Sequence, residues 1–378
     1  MSQLLACTAI MAGIAALILR RILPWRRAIP AAVIKLAIPL IFFSVYYDGQ
    51  WTIIDDLTYY RQGRLLLASG YNPISVFLDP KGFALLLYVS ASFHVLYGWF
   101  NLLTQYLLAD AYWAPVLGNV LLTCIAAVLL RCLATDAGAE SSYADALAVF
   151  FLFHWEILAW SSFINVKDLL VMTLTLWMMG SIAKAEGARK WTAWISVLLA
   201  GFLLFWIRFY VPLVLGAVYG LYRMRNPLQD KRLLASLVAG MAAFFFVVRG
   251  MVASVATIVN LRVTDLLFGW LRTLFSPQPW SLQRAYGFLL VPSVLNLALL
   301  PLTIYGAYLL IRRVRSIRFA FLYAAVLLVS VAAVPELQGP RHRIQILFLV
   351  AWAQFHGLYS AAAAFAKARS AGVQARVA

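Results

Sequence analysis

Long stretches without a charged residue recur along this chain, and short basic clusters separate many of them. They fall near residues 4–19, 29–47, 113–131, 144–161, 168–184, 191–207, 209–223, 233–257, 288–311, 318–334 and 344–364. A helix that crosses a bilayer needs about 20 mostly apolar residues, because in hydrocarbon every backbone N–H and C=O must find its partner inside the segment. The pattern predicts an all-α, polytopic integral membrane protein with about 11 transmembrane helices, forming one domain over residues 1–378. Only 12% of residues are charged and 64% are apolar, against about 25% and about 45–50% in soluble domains. No polar stretch is long enough for a soluble domain. Cys7, Cys124 and Cys132 form no CxxC pair and no metal spacing, so neither a disulfide framework nor a zinc site is implied.

The net charge of +17 would suggest nucleic-acid binding in a soluble protein. Here the basic residues sit between apolar runs, so sidedness in a membrane is the better reading, with no nucleic-acid partner. The run at 4–19 lacks a basic leader and is followed by basic residues, which reads as an uncleaved helix with its N-terminus outside. An interfacial helix is the alternative. Every second connection then carries a basic cluster: Arg20, Arg21, Arg26 and Arg27; Lys184, Arg189 and Lys190; Arg223, Arg225, Lys231 and Arg232; Arg312, Arg313, Arg315 and Arg318; and the tail Lys367, Arg369 and Arg376. With Lys35 and Arg131, the inner side holds 20 of the 31 basic residues. The other 11 lie near the outer side, where the positive-inside rule expects few, alongside eight carboxylates: Asp48, Asp55, Asp56, Asp79, Asp110, Asp168, Asp265 and Glu336. A solvated outer surface accounts for some of them. An outward-facing site that binds an anion and performs acid/base work accounts for the excess.

Four outer stretches could carry that chemistry. The first external loop, about 48–112, opens with WTIIDDLTYYRQGRLLLASG, an amphipathic helix ending at Gly70, with Thr52 and Asp55 spaced as a capping box. Residues 83–108 are apolar but interrupted, and are expected to lie at the outer interface or to be re-entrant. Asp55 and Asp56 point about 100° apart on a helix, so only one faces a given ligand. Such a pair can orient a hydroxyl, take its proton or hold a divalent cation, or it can simply cap the helix. At Ser161–Asp168, Lys167 and Asp168 either form a local capping pair or face an anionic headgroup and an acceptor. The third stretch, 335–343 and its continuation to Gln345, carries Arg341, His342 and Arg343. Arginine's planar fork matches phosphate; a helix would splay Arg341 from Arg343, while an extended segment led by Pro340 would put both on one side. The fourth, about 258–287, contains LFSPQPW and could cover a lipid headgroup or be an ordinary interfacial loop.

Arg208 could snorkel or reach the same anion. His94, His154 and His356 are isolated histidines and read as packed rather than metal-ligating. Glu156, deep in an apolar run, needs a buried partner or an aqueous cavity. Walker A, GxGxxG-helix, GxSxG and HExxH motifs are lacking, so nucleotide, serine and zinc hydrolysis have no support.

On these residues the chain resembles the GT-C superfamily of integral-membrane glycosyltransferases, over about residues 30–360. Asp55 stands at the leading acidic position of that family's first external motif, Asp56 where Glu is usual, and Tyr59 at its aromatic position. DPKGFALLLYVSASFHVLYG resembles a following segment, with Lys81 at the lysine and Gly98 at the glycine but no double proline. Lys167–Asp168 resembles a second motif, and GPRHR and LFSPQPW resemble late segments of bacterial cell-envelope polysaccharide members. The resemblance implies a donor sugar on a polyprenyl phosphate or diphosphate, transferred to a hydroxyl of a glycan or lipid acceptor on the outer face of a bacterial inner membrane, among membrane lipids. It implies Asp55 as base or acceptor orienter, with Asp56 and Asp168 in the same site. Arg341 and Arg343 would bind the donor phosphate, supported by Tyr59, Lys81, Lys167, Arg208 and His342. It makes no cofactor certain and leaves a divalent cation (Mg or Mn) open, since oligosaccharide-transferring relatives use one. A repeat-unit polymerase, a flippase for a lipid-linked glycan and a non-catalytic membrane subunit are the competing readings.

Overall fold

A computed structural model describes residues 1–49, 53, 55–92, 94–188, 191–223, 263–332 and 339–377, and the regular secondary structure among them is all helical. Among the described residues, six helices are long and apolar enough to cross a membrane: Ser2–Leu19, Trp25–Tyr46, Trp113–Asp136, Asp168–Glu186, Trp191–Arg208 and Pro340–Ala366. Two further pairs pass the same test but are bent, Ser141–Leu152 with Trp155–Phe163 by 47° and Arg284–Ala298 with Leu300–Arg312 by 63°. Counting each bent pair as one span gives eight among the described residues, against about 11 expected over the whole chain. The run at 209–223 is a helix of only 14 residues, Tyr210–Arg223, and the apolar helix Ile317–Val331 is also short of a full span. The run at 233–257 lies outside the described residues. Apolar side chains on the spans point outward, among them Leu198, Phe202 and Phe205. A surface of that kind suits lipid rather than water.

The core lies where Trp113–Asp136 packs against its neighbours, with Ala126, Leu130, Phe151, Trp160 and Trp352 all buried. Helices Leu300–Arg313 and Leu347–Val377 touch backbone to backbone. A Cβ at Gly306 would overlap the Ala353 carbonyl oxygen and come within 2.7 Å of the Gly357 nitrogen. Small residues at such crossings let membrane helices approach closely.

Lys35 was expected to help set orientation from the inner side. It is instead fully buried. Ten residues into its helix, it lies about 15 Å along the axis, mid-span. Its Nζ donates to the Leu152 carbonyl at 3.0 Å and to Ser161 Oγ at 3.1 Å. Leu152 ends the first half of a bent span, so Lys35 satisfies a carbonyl that the break would leave without an intrahelical partner. The positive-inside rule counts a lysine without knowing its depth, which is why the sequence reading misplaced it.

The first external loop folds into helices rather than open chain. Asp55–Ala68, Ser75–Leu78, Pro80–Val89 and Val95–Leu107 pack around a small core of Leu66, Val76, Leu86, Val95 and Leu102. The first helix runs from Asp55 to Ala68 and is followed by Gly70 at φ +85°, ending where the sequence suggested; Thr52, expected to cap it with Asp55 three residues on, lies outside the described residues. Residues 83–108 form parts of two helices of 10 and 13 residues, broken between Val89 and Val95. Each is too short to cross alone. At Gly63 an added Cβ would meet Gln105 Nε2 at 2.6 Å and the Asn101 backbone at 2.9 Å. That close contact sets Asp55–Ala68 against Val95–Leu107 and so fixes where Asp55 and Tyr59 stand.

Candidate functional site

Asp55 and Tyr59 are four positions apart on one helix and therefore share a face. Both are engaged by Arg341, from the far end of the chain. Arg341 Nη1 donates to Asp55 Oδ2, Nη2 donates to the Tyr59 hydroxyl at 2.9 Å, and Nε donates to Asp168 Oδ2 at 2.8 Å. The guanidinium thus spends its three nitrogens in three directions, a bridge that a lysine could not make. Asp168 opens the helix Asp168–Ala188, where the helix dipole favours an anion. Its other oxygen accepts from Arg208 Nη2 at 2.9 Å and from Gln345 Nε2 at 3.2 Å. Gln345 also donates to the Tyr210 hydroxyl at 3.3 Å.

The two carboxylates that share Arg341 differ in access. The Asp168 side chain is 0% exposed and that of Asp55 is 54% exposed. Asp168 is a buried anchor for two arginines, whereas Asp55 can meet a ligand.

Lys167 completes the cluster. It is buried, with Nζ 2.7 Å from His94 Nε2 and 5.1 Å from the centre of the Tyr59 ring. His94 Nδ1 lies 3.1 Å from the Ile207 carbonyl. That carbonyl can only accept, so the ring proton belongs on Nδ1 and Nε2 accepts from the lysine. Burial, reinforced by Arg208 and Arg341, holds Lys167 well below the usual lysine range. Burial and then Lys167 push His94 down to about 3, so the imidazole is neutral. Burial raises the Tyr59 hydroxyl despite Arg341 beside it, so it stays protonated and can donate. Two arginines (Arg208 and Arg341) face two carboxylates here, and Lys167 in its ammonium form adds the excess of positive charge suited to an anion.

Other expected residues fall elsewhere. Asp56 turns away from the cluster, fully buried, accepting from the Tyr112 hydroxyl at 2.5 Å and the Leu57 N–H at 2.8 Å. Its backbone carbonyl accepts from Asn165 at 3.2 Å, and Asn165 also accepts from Tyr97 at 2.5 Å. Asp56 ties the external helix to the bundle rather than facing the ligand side. Lys81 is exposed; its N–H is capped by Asp79 at 3.0 Å, and no side-chain contact joins it to the cluster among the described residues. Pro340–Arg343 is helical, so Arg341 and Arg343 splay apart. Arg343 reaches a second buried acid, Glu156, at 2.5 Å, and donates to the Leu274 carbonyl. His342 lies between the two arginines, half-buried, with Nδ1 lacking a hydrogen-bond partner among the described residues.

Glu156 thereby gains the buried partner that its sequence position required. Asn296 donates to its second oxygen at 2.8 Å. Arg343 borders a cavity of about 870 Å³, lined also by Asn296 and Gln354 and mainly by apolar residues such as Trp270, Leu274 and Leu328. Pro277, Gln278, Pro279 and Trp280 of the LFSPQPW segment form part of its wall, which is what a segment covering a lipid would do.

A divalent cation does not fit this donor set. Asp55 and Asp168 are bridged by the Arg341 guanidinium, which stands where a shared cation would have to go. No three His, Cys, Asp or Glu side chains converge on one point among the described residues. Gln345, Tyr210 and His94 were not singled out as site residues from sequence; each joins through a partner 73 to 177 positions away or on another helix, and local spacing carries no trace of that. Comparison with known proteins gives no matching family model, no matching curated protein and no matching solved structure.

Proposed function

We propose that this chain is a membrane glycosyltransferase. It moves a sugar or oligosaccharide from a polyprenyl-phosphate or polyprenyl-diphosphate donor to a hydroxyl of a glycan or lipid acceptor, on the extracytoplasmic face of a bacterial inner membrane. The observation that carries this reading is the Asp55–Arg341–Asp168 bridge: one reachable carboxylate held beside a cluster with excess positive charge. The cavity beside the same four-residue helix supports an apolar donor tail, since mainly apolar pockets of roughly 300–1,000 Å³ are typical ligand sites.

In this reading Asp55 orients the acceptor hydroxyl and takes its proton as the oxygen attacks the anomeric carbon. The bond from that carbon to the phosphate oxygen breaks, and the phosphate departs with the electron pair. Lys167 and Arg341 meet the developing charge, Lys167 with donors beyond the one it gives His94. Asp168, itself held by Arg208, holds Arg341 in place. Arg343 is neutralised by Glu156 and is not a phosphate ligand in this reading. Purified protein given polyprenyl-phosphate sugars and a hydroxyl acceptor should release free polyprenyl phosphate and glycosylated product, and Asp55→Asn should stop both. Unchanged turnover in that variant would remove the assignment.

A flippase for a lipid-linked glycan is the second reading, favoured by the two bent helices, whose breaks bring Glu156 and Asn296 together. Transfer in detergent, where there are no sides to cross, separates the two. A repeat-unit polymerase differs only in its acceptor, and product length distinguishes it.

A further inference from the structure

The helix Pro340–Arg343 is one turn long and sends its two arginines to two different buried acids. Arg341 holds Asp168 and Asp55, and Arg343 holds Glu156. Both ends of the second pair are buried, Glu156 at 0% and Arg343 at 5% side-chain exposure. Glu156 lies in the first turn after the break of one bent span. Asn296, which donates to it, lies in the last turn before the break of the other. Asn296 Oδ1 in turn accepts from Trp155 at 2.8 Å and from Gln354 at 3.1 Å, and Gln354 meets His154 at 2.8 Å. Arg343 is therefore fixed against a polar knot tying two broken helices to the last helix, and Arg341, two residues before it on the same helical turn, reaches the anion site.

Arg343, Asn296 and Gln354 also line the apolar cavity. What fills that cavity decides the dielectric around the ion pair. An attraction between unit charges at fixed distance is several-fold weaker in water than in a protein-like medium. Water in the cavity loosens Arg343 on Glu156, and an apolar chain tightens it.

We propose that the Glu156–Arg343 pair is a positioning device through which an apolar chain in the cavity tightens anion binding at Arg341. This rests on the reading above only in taking Arg341 as the anion-binding group and the cavity as the place of the chain. Glu156 and Arg343 are then positioning residues, acting through the helix that carries Arg341. Because binding linkage is reciprocal, the anion must tighten the chain by the same factor.

The test compares two probes, farnesyl phosphate and inorganic phosphate, on the purified full chain by equilibrium dialysis with radiolabelled ligand. Their affinity ratio in the parent protein measures the contribution of the chain. In Glu156→Gln/Arg343→Gln, which removes both charges together, that ratio should fall by about 5-fold or more, with inorganic phosphate affected less than farnesyl phosphate. Glu156→Asp should keep most of the ratio. An unchanged ratio, or both affinities falling by one common factor, would overturn the proposal and leave the pair merely structural. No binding of either probe to the parent would overturn both this proposal and the function above, whereas probe binding with an unchanged ratio overturns only this one. A second measurement needs no variant: farnesol alone should slow backbone hydrogen exchange across residues 340–346 of the parent, and unaltered exchange there would also overturn it.

Discussion

Asp55 and Asp168 share one arginine, yet the structure assigns them opposite sensitivities to losing their charge. Asp168→Asn would leave Arg208 and Arg341 buried against a neutral amide whose nitrogen faces donors. Breaking a buried ion pair from one side costs about 3–5 kcal/mol, because the remaining charge is left uncompensated. Arg341 would retain Asp55, so the lower part of that range applies to it, but Arg208 has no other carboxylate among the described residues. For a chain of this size about 2 °C of midpoint is lost per kcal/mol, so the variant should unfold roughly 6–10 °C below the parent. Asp55→Asn is different. Its side chain is more than half exposed and Arg341 keeps Asp168, so the loss should stay within about 1 kcal/mol and the midpoint should move by under about 2 °C. With the partly exposed Cys132 replaced by Ser in every protein compared, a thiol-reactive dye reports the unfolding, since Cys7 and Cys124 are buried and react only as the bundle opens. Membrane proteins unfold irreversibly as a rule, so all variants must be heated at one scan rate. Equal losses in the two variants, or a parent-like midpoint for Asp168→Asn, would refute the division into a buried anchor and a reachable base.

Three further outcomes follow from the same geometry. Anion affinity should fall as pH rises through the lowered Lys167 range, because the ammonium is the binding form and burial makes it lose its proton early. Titrating sulfate, whose own charge is constant, should show the fall well below the ordinary lysine pKa of about 10.4, and Lys167→Arg should abolish it. Tyr112→Phe should cost about 1.5–3 kcal/mol by removing a hydrogen bond to the buried Asp56 carboxylate, while transfer per folded molecule stays at the parent value. Gly306→Leu should prevent the close approach of Leu300–Arg313 to Leu347–Val377, read as aggregation or loss of the monodisperse peak on size exclusion.

What the sequence disclosed follows a physical pattern. Eight of the eleven expected spans were legible, six as single helices and two as bent pairs among the described residues, because a bilayer imposes length and apolarity directly. The end of the external helix before Gly70 was legible because turn chemistry is local. Asp55, Lys167, Asp168, Arg208 and Arg341 were legible as candidates because charge near an apolar boundary is costly and needs a reason. Their convergence was not, since Asp55 and Arg341 are 286 positions apart. Arg343 and Glu156 show the limit well: each stood out as needing an explanation, and only the three-dimensional fold revealed that each is the explanation of the other. The bends at 47° and 63° were hidden because hydropathy averages over a window and does not register a change of direction. Lys35 failed for a related reason, as depth in the bilayer is a property of packing and not of spacing.

The central claim is that the Asp55–Arg341–Asp168 cluster, with Lys167, is where a lipid-borne phosphate sits. Cryo-electron microscopy of the protein with saturating farnesyl phosphate tests it most directly. Phosphate density is expected within hydrogen-bonding reach of Lys167 and Arg341, with the apolar chain running into the cavity beside Arg343. Phosphate density confined to another basic cluster, such as that around Arg312 and Arg318, with the Asp55–Arg341–Asp168 bridge unchanged, would contradict it.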